Sequence, residues 1–326
     1  MLTNSRLKCY RRCPREHHLA YELGYRAIVE AEAARFGTLV HRALEAWWRA
    51  PGERLAAALA VLDHALADGG DPFDVAKARA LMTGYHARWI DEPYEVLEVE
   101  VEFAAPLTNP ETGAASKTWC LGGKLDVVVR DQRDGRVLII DHKTASEGIS
   151  VGSSYWKRLR LDSQISAYCV GGRALGYEVA GFVYDVIAKP GLRPLKATPP
   201  ESRKYTKAGV LYAGQRERDE TPEEYGARVY ADIFASPEEY FARGEVPRLE
   251  QDLRDHAFDA WQLGRQIREA ELAERWPRNP DACVRYGRTC DFFAVCSGEA
   301  SLEDPARYRR LEHVHAELAP PDASAA

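Results

Sequence analysis

The feature that most constrains this chain is a pair of apolar runs joined by a five-residue turn. "GGKLDVVVR" (122–130) and "RVLIID" (136–141) both read as strands, and "DQRDG" between them is a hairpin signal. Strands joined so tightly must lie side by side. Asp126 adjoins the apolar run of the first, and Asp141 ends the apolar run of the second. A hairpin brings such carboxylates close together. Close carboxylates repel, so a cation is the natural third party.

The surrounding pattern extends this pair into a sheet. In "LEVEVEF" (97–103), Leu97, Val99, Val101 and Phe103 alternate with Glu98, Glu100 and Glu102, the period of a half-buried strand. "AGFVYDVIAKP" (180–190) is a fourth strand, stopped by Pro190. Helices are expected over 5–35, which has a basic start, over 36–48, and over 53–93 with a break at "DGGDP". Further helices are expected over 161–176 and about 247–275, where Leu249, Leu253, Ala257, Ala260, Gly264 and Ile267 keep helical spacing. On 36–48, Val40, Leu44 and Trp47 share one face, and His41, Glu45 and Trp48 another. The core order is therefore helix, three meander strands, helix, strand, which is an α/β arrangement. No internal repeat is visible, and "LAPPDASAA" reads as a disordered tail.

Composition narrows the setting. The net charge is −6, so a nucleic-acid partner would need basic residues gathered locally. Three segments gather them: the N-terminus, "KRLR" (157–160), and 189–218, where Lys189, Arg193, Lys196, Arg203, Lys204, Lys207, Arg216 and Arg218 face only Glu201 and Glu217. Tyr205, Tyr212 and Trp156 are candidates to stack bases of a single strand. The charged N-terminus does not suit a secretory signal, and no apolar run nears the roughly 18 residues of a membrane span. The expected compartment is the cytoplasm, with no membrane partner. Seven cysteines, unevenly spread, then suggest metal or iron–sulfur ligation rather than disulfides.

Lys143 lies two residues beyond Asp141, on the same strand face. A lysine beside a carboxylate-bound metal can orient a water, which suits phosphodiester hydrolysis. Gln164 and Tyr168 are four residues apart on one helical face. Each element alone is weak: most Asp-x-Lys pairs are solvated strand ends, and a lone helical histidine such as His41 is more often a surface or satisfied residue than a ligand.

Taken in order, His41, Glu100, Gly123-x-x-Asp126, Asp141-x-Lys143 and Gln164-x-x-x-Tyr168 resemble the PD-(D/E)xK nuclease superfamily. More narrowly they resemble its RecB-like branch, which includes the nuclease domains of RecB and AddB and the CRISPR-associated RecB-like exonucleases. The resemblance covers about residues 5–297. It implies a restriction-endonuclease-like core, a mixed sheet of four to five strands flanked by helices, with extra N- and C-terminal helices. It suggests one elaborated domain over 1–316: a core at 36–190, a basic insert at 191–236, a helical and cysteine segment at 237–300, and a disordered tail at 317–326. By resemblance, His41, Asp126, Asp141 and the backbone carbonyl of His142 would hold Mg²⁺ or Mn²⁺. Lys143 would position the attacking water, and Gln164 and Tyr168 would hold the site and the nearby DNA backbone. Glu100 is chosen over its neighbours because it fits the family's Glu-x-x-Phe spacing with Phe103.

The cysteines resemble a second family device. Cys13, followed by Pro14, with Cys283, Cys290 and Cys296, matches the iron–sulfur staple of many RecB-like nucleases and implies a 4Fe–4S cluster. The first C-terminal spacing departs from the family's, and Cys9 rivals Cys13. Zinc on the same four thiolates is the chemical alternative. Cys120 and Cys169 read as core residues. The implied function is a metal-dependent DNA nuclease, an exonuclease on single strands or ends with some endonuclease activity. It would work alone or with helicase, recombination, phage or CRISPR-adaptation proteins. Rival readings are a catalytically silent DNA- or protein-binding module and an RNA nuclease of the same fold.

Overall fold

The structure is a computed structural model that describes residues 1–28, 32–150, 152–285, 287–315 and 318. The expected tail at 317–326 lies outside the described residues except for Leu318. The N-terminal segment is not one helix. It forms α1 (Asn4–Arg12), the short α2 (Pro14–His17), a π-turn at His18–Glu22 and strand β1 (Tyr25–Ala27). Pro14 cannot donate to α1, and Gly24 turns the chain at φ +79°. Helix α3 (Glu32–Arg49) follows, then α4 (Arg54–Ala67) and α5 (Pro72–Trp89), which are separated at "DGGDP" where the Asp71 side chain caps α5.

The strands are longer than their apolar patterns: β2 (Tyr94–Thr108), β3 (Ala115–Asp131) and β4 (Val137–Ala145). Then come α6 (Ser154–Leu159), α7 (Ser163–Ala174) and β5 (Val179–Ala188). After a long excursion lie α8 (Pro222–Ala235), α9 (Pro237–Tyr240), β6 (Phe241–Glu245) and α10 (Glu250–Ala273). Two-residue strands β7 (Val284–Arg285) and β8 (Arg288–Thr289), helix α11 (Phe293–Ser297) and β9 (Tyr308–Arg310) follow.

Among the described residues the central sheet has five strands in the order β2-β3-β4-β5-β6, antiparallel except for the parallel pair β4–β5. α6 and α7 form the crossover between β4 and β5, as a parallel pair requires. Strand β6 was not expected: "FARGE" is short and carries two charges. One sheet face packs Val127, Val129, Leu138 and Ile140 against α3, α4, α5 and α8. The other packs Leu125, Val128, Ile139 and Phe182 against α6 and α7. Both faces of β4 are therefore covered, and its alternating side chains report to opposite layers. This is the restriction-endonuclease-like α/β architecture. Among the described residues no helix is long and apolar enough to cross a membrane.

Helix α7 lies close on the sheet because its packing residue is a glycine. A Cβ at Gly171 would meet the Phe103 ring at 2.5 Å, well inside contact distance. Replacing Gly171 with Ala should push α7 off the sheet or twist Phe103, with a cost of about 1–3 kcal/mol. Urea unfolding of Gly171→Ala against wild type measures it, and equal midpoints would show that the contact yields freely.

Candidate active site

The β3–β4 ladder runs from Arg130↔Val137 to Val127↔Ile140. One step on, that register sets Asp126 opposite Asp141. There the backbone pairing gives way to a side chain: the His142 N–H donates to Asp126 Oδ2 at 2.9 Å. Strand β4 meanwhile stays paired to β5 as far as Ala145↔Ala188. The sheet thus opens between β3 and β4 while β4 is held from its other edge.

Alternation along β4 sends Asp141 and Lys143 toward α7, the direction of Ile139. Lys143 Nζ lies 2.5 Å from Asp141 Oδ2. Gln164 ties them together: its Oε1 accepts from Lys143 Nζ at 3.0 Å, and its Nε2 donates to Asp141 Oδ1 at 3.1 Å and to the Tyr168 OH at 2.7 Å. Burial and the nearby Asp126 raise the Asp141 carboxyl, against the pull of Lys143. Burial works against the Lys143 ammonium, but Asp141 and Asp126 together keep its pKa above the ordinary lysine value. Burial and the same two carboxylates push the Tyr168 phenol well up.

Glu100 enters from β2. Val99 pairs with Val127 and Val101 with Leu125, so Glu100 stands beside Asp126 and the three carboxylates form a row across β2, β3 and β4. Burial, then Asp126, raises the Glu100 carboxyl, which is ion-paired to Lys124. Glu100 has φ +54°, a left-handed backbone inside a strand. Such a conformation costs a non-glycine residue about 1–3 kcal/mol, and outliers of this kind gather at functional sites. Lys124 was not among the candidates, though its place two residues before Asp126 put it in view.

His41 reaches the cluster from α3, on the opposite sheet face. Its ring lies 6.3 Å from that of His142, and burial holds its pKa down to about 4 despite the pull of Asp126. It is therefore a neutral imidazole at neutral pH. The His142 side chain points away from Asp141, into the α3–α5 layer, where its Nδ1 lies 3.1 Å from Asp185 Oδ2. Asp185 is absent from the candidates that the sequence offers, although a carboxylate inside "FVYDVIA" is a visible signal.

The expected basic surfaces are largely consumed by structure. Arg6 is buried and paired with Glu22 at 2.5 Å, and Lys8 pairs with Asp162 at 2.6 Å. In the 189–218 excursion, Lys196 pairs with Asp219, while Arg216 and Arg218 both pair with Glu224. Those acids lie just beyond the window that looked basic. Lys204 and Lys207 make no ion pair among the described residues, and Tyr205 and Tyr212 beside them are about half exposed. Trp156 is not a stacking platform: its Nε1 donates to the Ile149 carbonyl at 2.7 Å, and its ring packs over Gly244.

Cys13, Cys283, Cys290 and Cys296 line one cavity of about 30 Å³ with Phe292. Cys9 is buried beside it without lining it, its thiol pushed up to about 12 by burial and then by Glu16. Cys169, on α7, is a buried core residue as expected, whereas Cys120, expected in the core, is only half-buried on β3. Among the described residues, no three His, Cys, Asp or Glu side chains are already arranged to hold a metal ion.

A sequence model of the PD-(D/E)XK nuclease superfamily matches residues 1–297, nearly the whole chain, and the chain belongs to that superfamily. No curated protein sequence matches it. Among solved structures it is similar to the protein SSO0001, at 15% identity over 92% of this chain and 87% of that one, with a TM-score of 0.38. It is also similar to a protein of Eubacterium rectale named only provisionally as an exonuclease, at 10% identity over 93% and 89%, with a TM-score of 0.45. Likeness at these scores adds nothing to the family assignment.

The strain at Glu100 can be measured. Glu100→Gly admits the positive φ without penalty and removes a half-buried carboxylate beside Asp126. It should stabilise the fold by about 1 kcal/mol, read as a higher urea midpoint. A lower midpoint would mean that the Lys124 pair outweighs the strain.

Proposed function

We propose that this chain is a metal-dependent deoxyribonuclease of the RecB-like branch, acting in the cytoplasm as an exonuclease on single strands or DNA ends. The observation that carries the reading is the single hydrogen-bonded cluster of Asp141, Lys143, Gln164 and Tyr168, set where β3 and β4 part beside Asp126 and Glu100. The donor chemistry suits a hard divalent cation: three carboxylates stand in a row, with Lys143 paired to Asp141 and Lys124 to Glu100. In the present arrangement the Lys143 ammonium itself neutralises Asp141.

Asp126, Asp141, the His142 carbonyl and the neutral His41 imidazole are the groups that would hold Mg²⁺ or Mn²⁺, and the imidazole suits Mn²⁺. Once bound, the ion supplies positive charge against the scissile phosphate and eases ionisation of a water. The chain's own groups do the rest. Lys143, braced by Gln164, orients the attacking water and offsets the charge that builds on phosphate oxygens. Gln164 keeps Asp141 and Lys143 in register, and Tyr168 fixes Gln164. Lys204, Lys207, Tyr205 and Tyr212 offer cations and rings for a single strand. The work fits a stand-alone enzyme or a subunit of a repair, recombination, phage or CRISPR-adaptation assembly.

Lys143→Ala should cut hydrolysis by about 10²–10⁴-fold while sparing DNA binding. End-labelled single-stranded, duplex and circular DNA with Mg²⁺ or Mn²⁺, and RNA as competitor, measure this. Cleavage surviving the change would refute the assignment, and preferential RNA cleavage would move it to the RNA reading.

We further propose that Cys13, Cys283, Cys290 and Cys296 hold a 4Fe–4S cluster that staples the two chain ends. What supports this reading is that all four cysteines line one cavity although Cys13 and Cys283 are about 270 residues apart in sequence, and closing so long a loop is where a metal clip stabilises most. Protein purified without oxygen should be brown, absorbing at about 400 nm, with iron and sulfide in near-equal amounts. Cys290→Ser should lose the colour and lower the melting temperature. Colourless wild type holding zinc would overturn the cluster in favour of the zinc alternative.

A further inference from the structure

A row of three buried charged or titratable residues runs across the sheet directly behind the site. Parallel pairing sets His142 opposite Asp185, and antiparallel pairing sets Asp185 opposite Arg243, so the row crosses β4, β5 and β6. His142 Nδ1 lies 3.1 Å from Asp185 Oδ2, a close polar contact rather than an aligned hydrogen bond. The Arg243 Nε lies 3.1 Å from Asp185 Oδ1, and its terminal nitrogen donates to Oδ2 at 3.2 Å. The Tyr85 OH donates to the same Oδ2 at 2.5 Å and accepts from Trp48 Nε1 at 3.1 Å. Aromatic rings enclose the guanidinium, the nearest being Trp89 at 4.2 Å to its centroid.

The side chains of Asp185 and Arg243 are 0% and 8% exposed. A buried ion pair is a poor source of stability, since apolar residues of the same volume commonly serve as well. What such a pair can supply is position. In a strand the N–H and C=O of one residue leave on the same side. The His142 N–H goes to Asp126, so its carbonyl also faces the opening between β3 and β4. The His142 peptide therefore serves the site on one side of the sheet, while its ring is held by Asp185 in the layer behind.

We propose that Asp185, backed by Arg243 and Tyr85, is a positioning residue that fixes the His142 peptide and, through it, the Asp126 carboxylate and the metal-facing carbonyl. This rests on the nuclease reading above. Outer groups that orient metal ligands commonly change affinity by about 10–100-fold when removed.

The test uses the full chain with Asp185→Asn, and with Tyr85→Phe, which keeps the ring and removes one hydroxyl. Mn²⁺ affinity is measured by calorimetry, single-stranded DNA binding in Ca²⁺, kcat and KM on DNA, and thermal unfolding. Asp185→Asn should lose about tenfold or more in Mn²⁺ affinity and in kcat, with KM and DNA binding unchanged. Tyr85→Phe should shift the same two quantities in the same direction by less. It decides the matter alone if Asp185→Asn does not fold. Wild-type Mn²⁺ affinity and kcat in the folded variants would overturn the inference. So would equal losses in metal binding and DNA binding, which mark a general loosening. A wild type that neither binds Mn²⁺ nor cleaves would overturn the nuclease reading and this inference together. A working wild type matched by its variants overturns this inference alone.

Discussion

The structure turns on the hydrogen bond from the His142 N–H to Asp126 Oδ2. A buried backbone donator must have a partner, and in an uninterrupted sheet that partner would be a β3 carbonyl. Here the partner is a carboxylate. The substitution lets β3 and β4 part without orphaning the donor, and it fixes Asp126 by the same act. The opening is affordable because β4 keeps its parallel ladder with β5 beyond the point where β3 leaves. Into the gap come α7 from one face, with Gln164 and Tyr168, and α3 from the other, with His41.

Two buried carboxylates on neighbouring strands are handled in opposite ways. Asp185 sits in a closed cage with Arg243, Tyr85 and His142, and Arg243 holds its carboxyl far below the usual range in spite of full burial. Asp141 is as buried, yet burial and Asp126 leave its carboxyl raised even with Lys143 in contact. Arg243 outweighs burial at Asp185, whereas Lys143 does not outweigh burial and Asp126 at Asp141, so the second carboxylate is the one left short of positive charge. The two environments lie on opposite sides of the sheet, Asp185 toward α5 and Asp141 toward α7.

The sheet was legible because its signals are local. Alternation in "LEVEVEF", the turn "DQRDG" and Pro190 each act within a few residues. Asp126, Asp141 and Lys143 were legible for the same reason, lying on two strands joined by a short turn. Strand β6 and the Asp185–Arg243 pair were not: their partners lie 58 residues apart, and neither "FARGE" nor an aspartate within an apolar strand names its neighbour. Alternation could not separate Glu100 from Glu98 and Glu102, because it puts all three on one face. The left-handed backbone at Glu100 breaks that equivalence and is invisible in composition. The 189–218 excursion misled because its acidic partners, Asp219 and Glu224, begin where the basic run ends.

The closure of the chain ends also reaches the site. The Asp162 side chain caps α7 by accepting from the Gln164 N–H at 2.9 Å, and it also pairs with Lys8 of α1. Ser163 Oγ donates to Asn4 Oδ1 at 2.8 Å, and Arg248, just before α10, donates to the Asp162 carbonyl at 3.0 Å. The first turn of α7 is therefore braced by the segment leading to Cys13 and by the one leading to Cys283. β1 pairs with β9, and Leu19 and Ala20 pack with Phe292 and Tyr308. Whatever tightens that junction stiffens the frame from which Gln164 reaches Asp141 and Lys143. Much of the basic charge at the N-terminus goes into this bracing: Arg6, Lys8, Arg11 and Arg12 of α1 pair with Glu22, Asp162, Asp259 and Glu16.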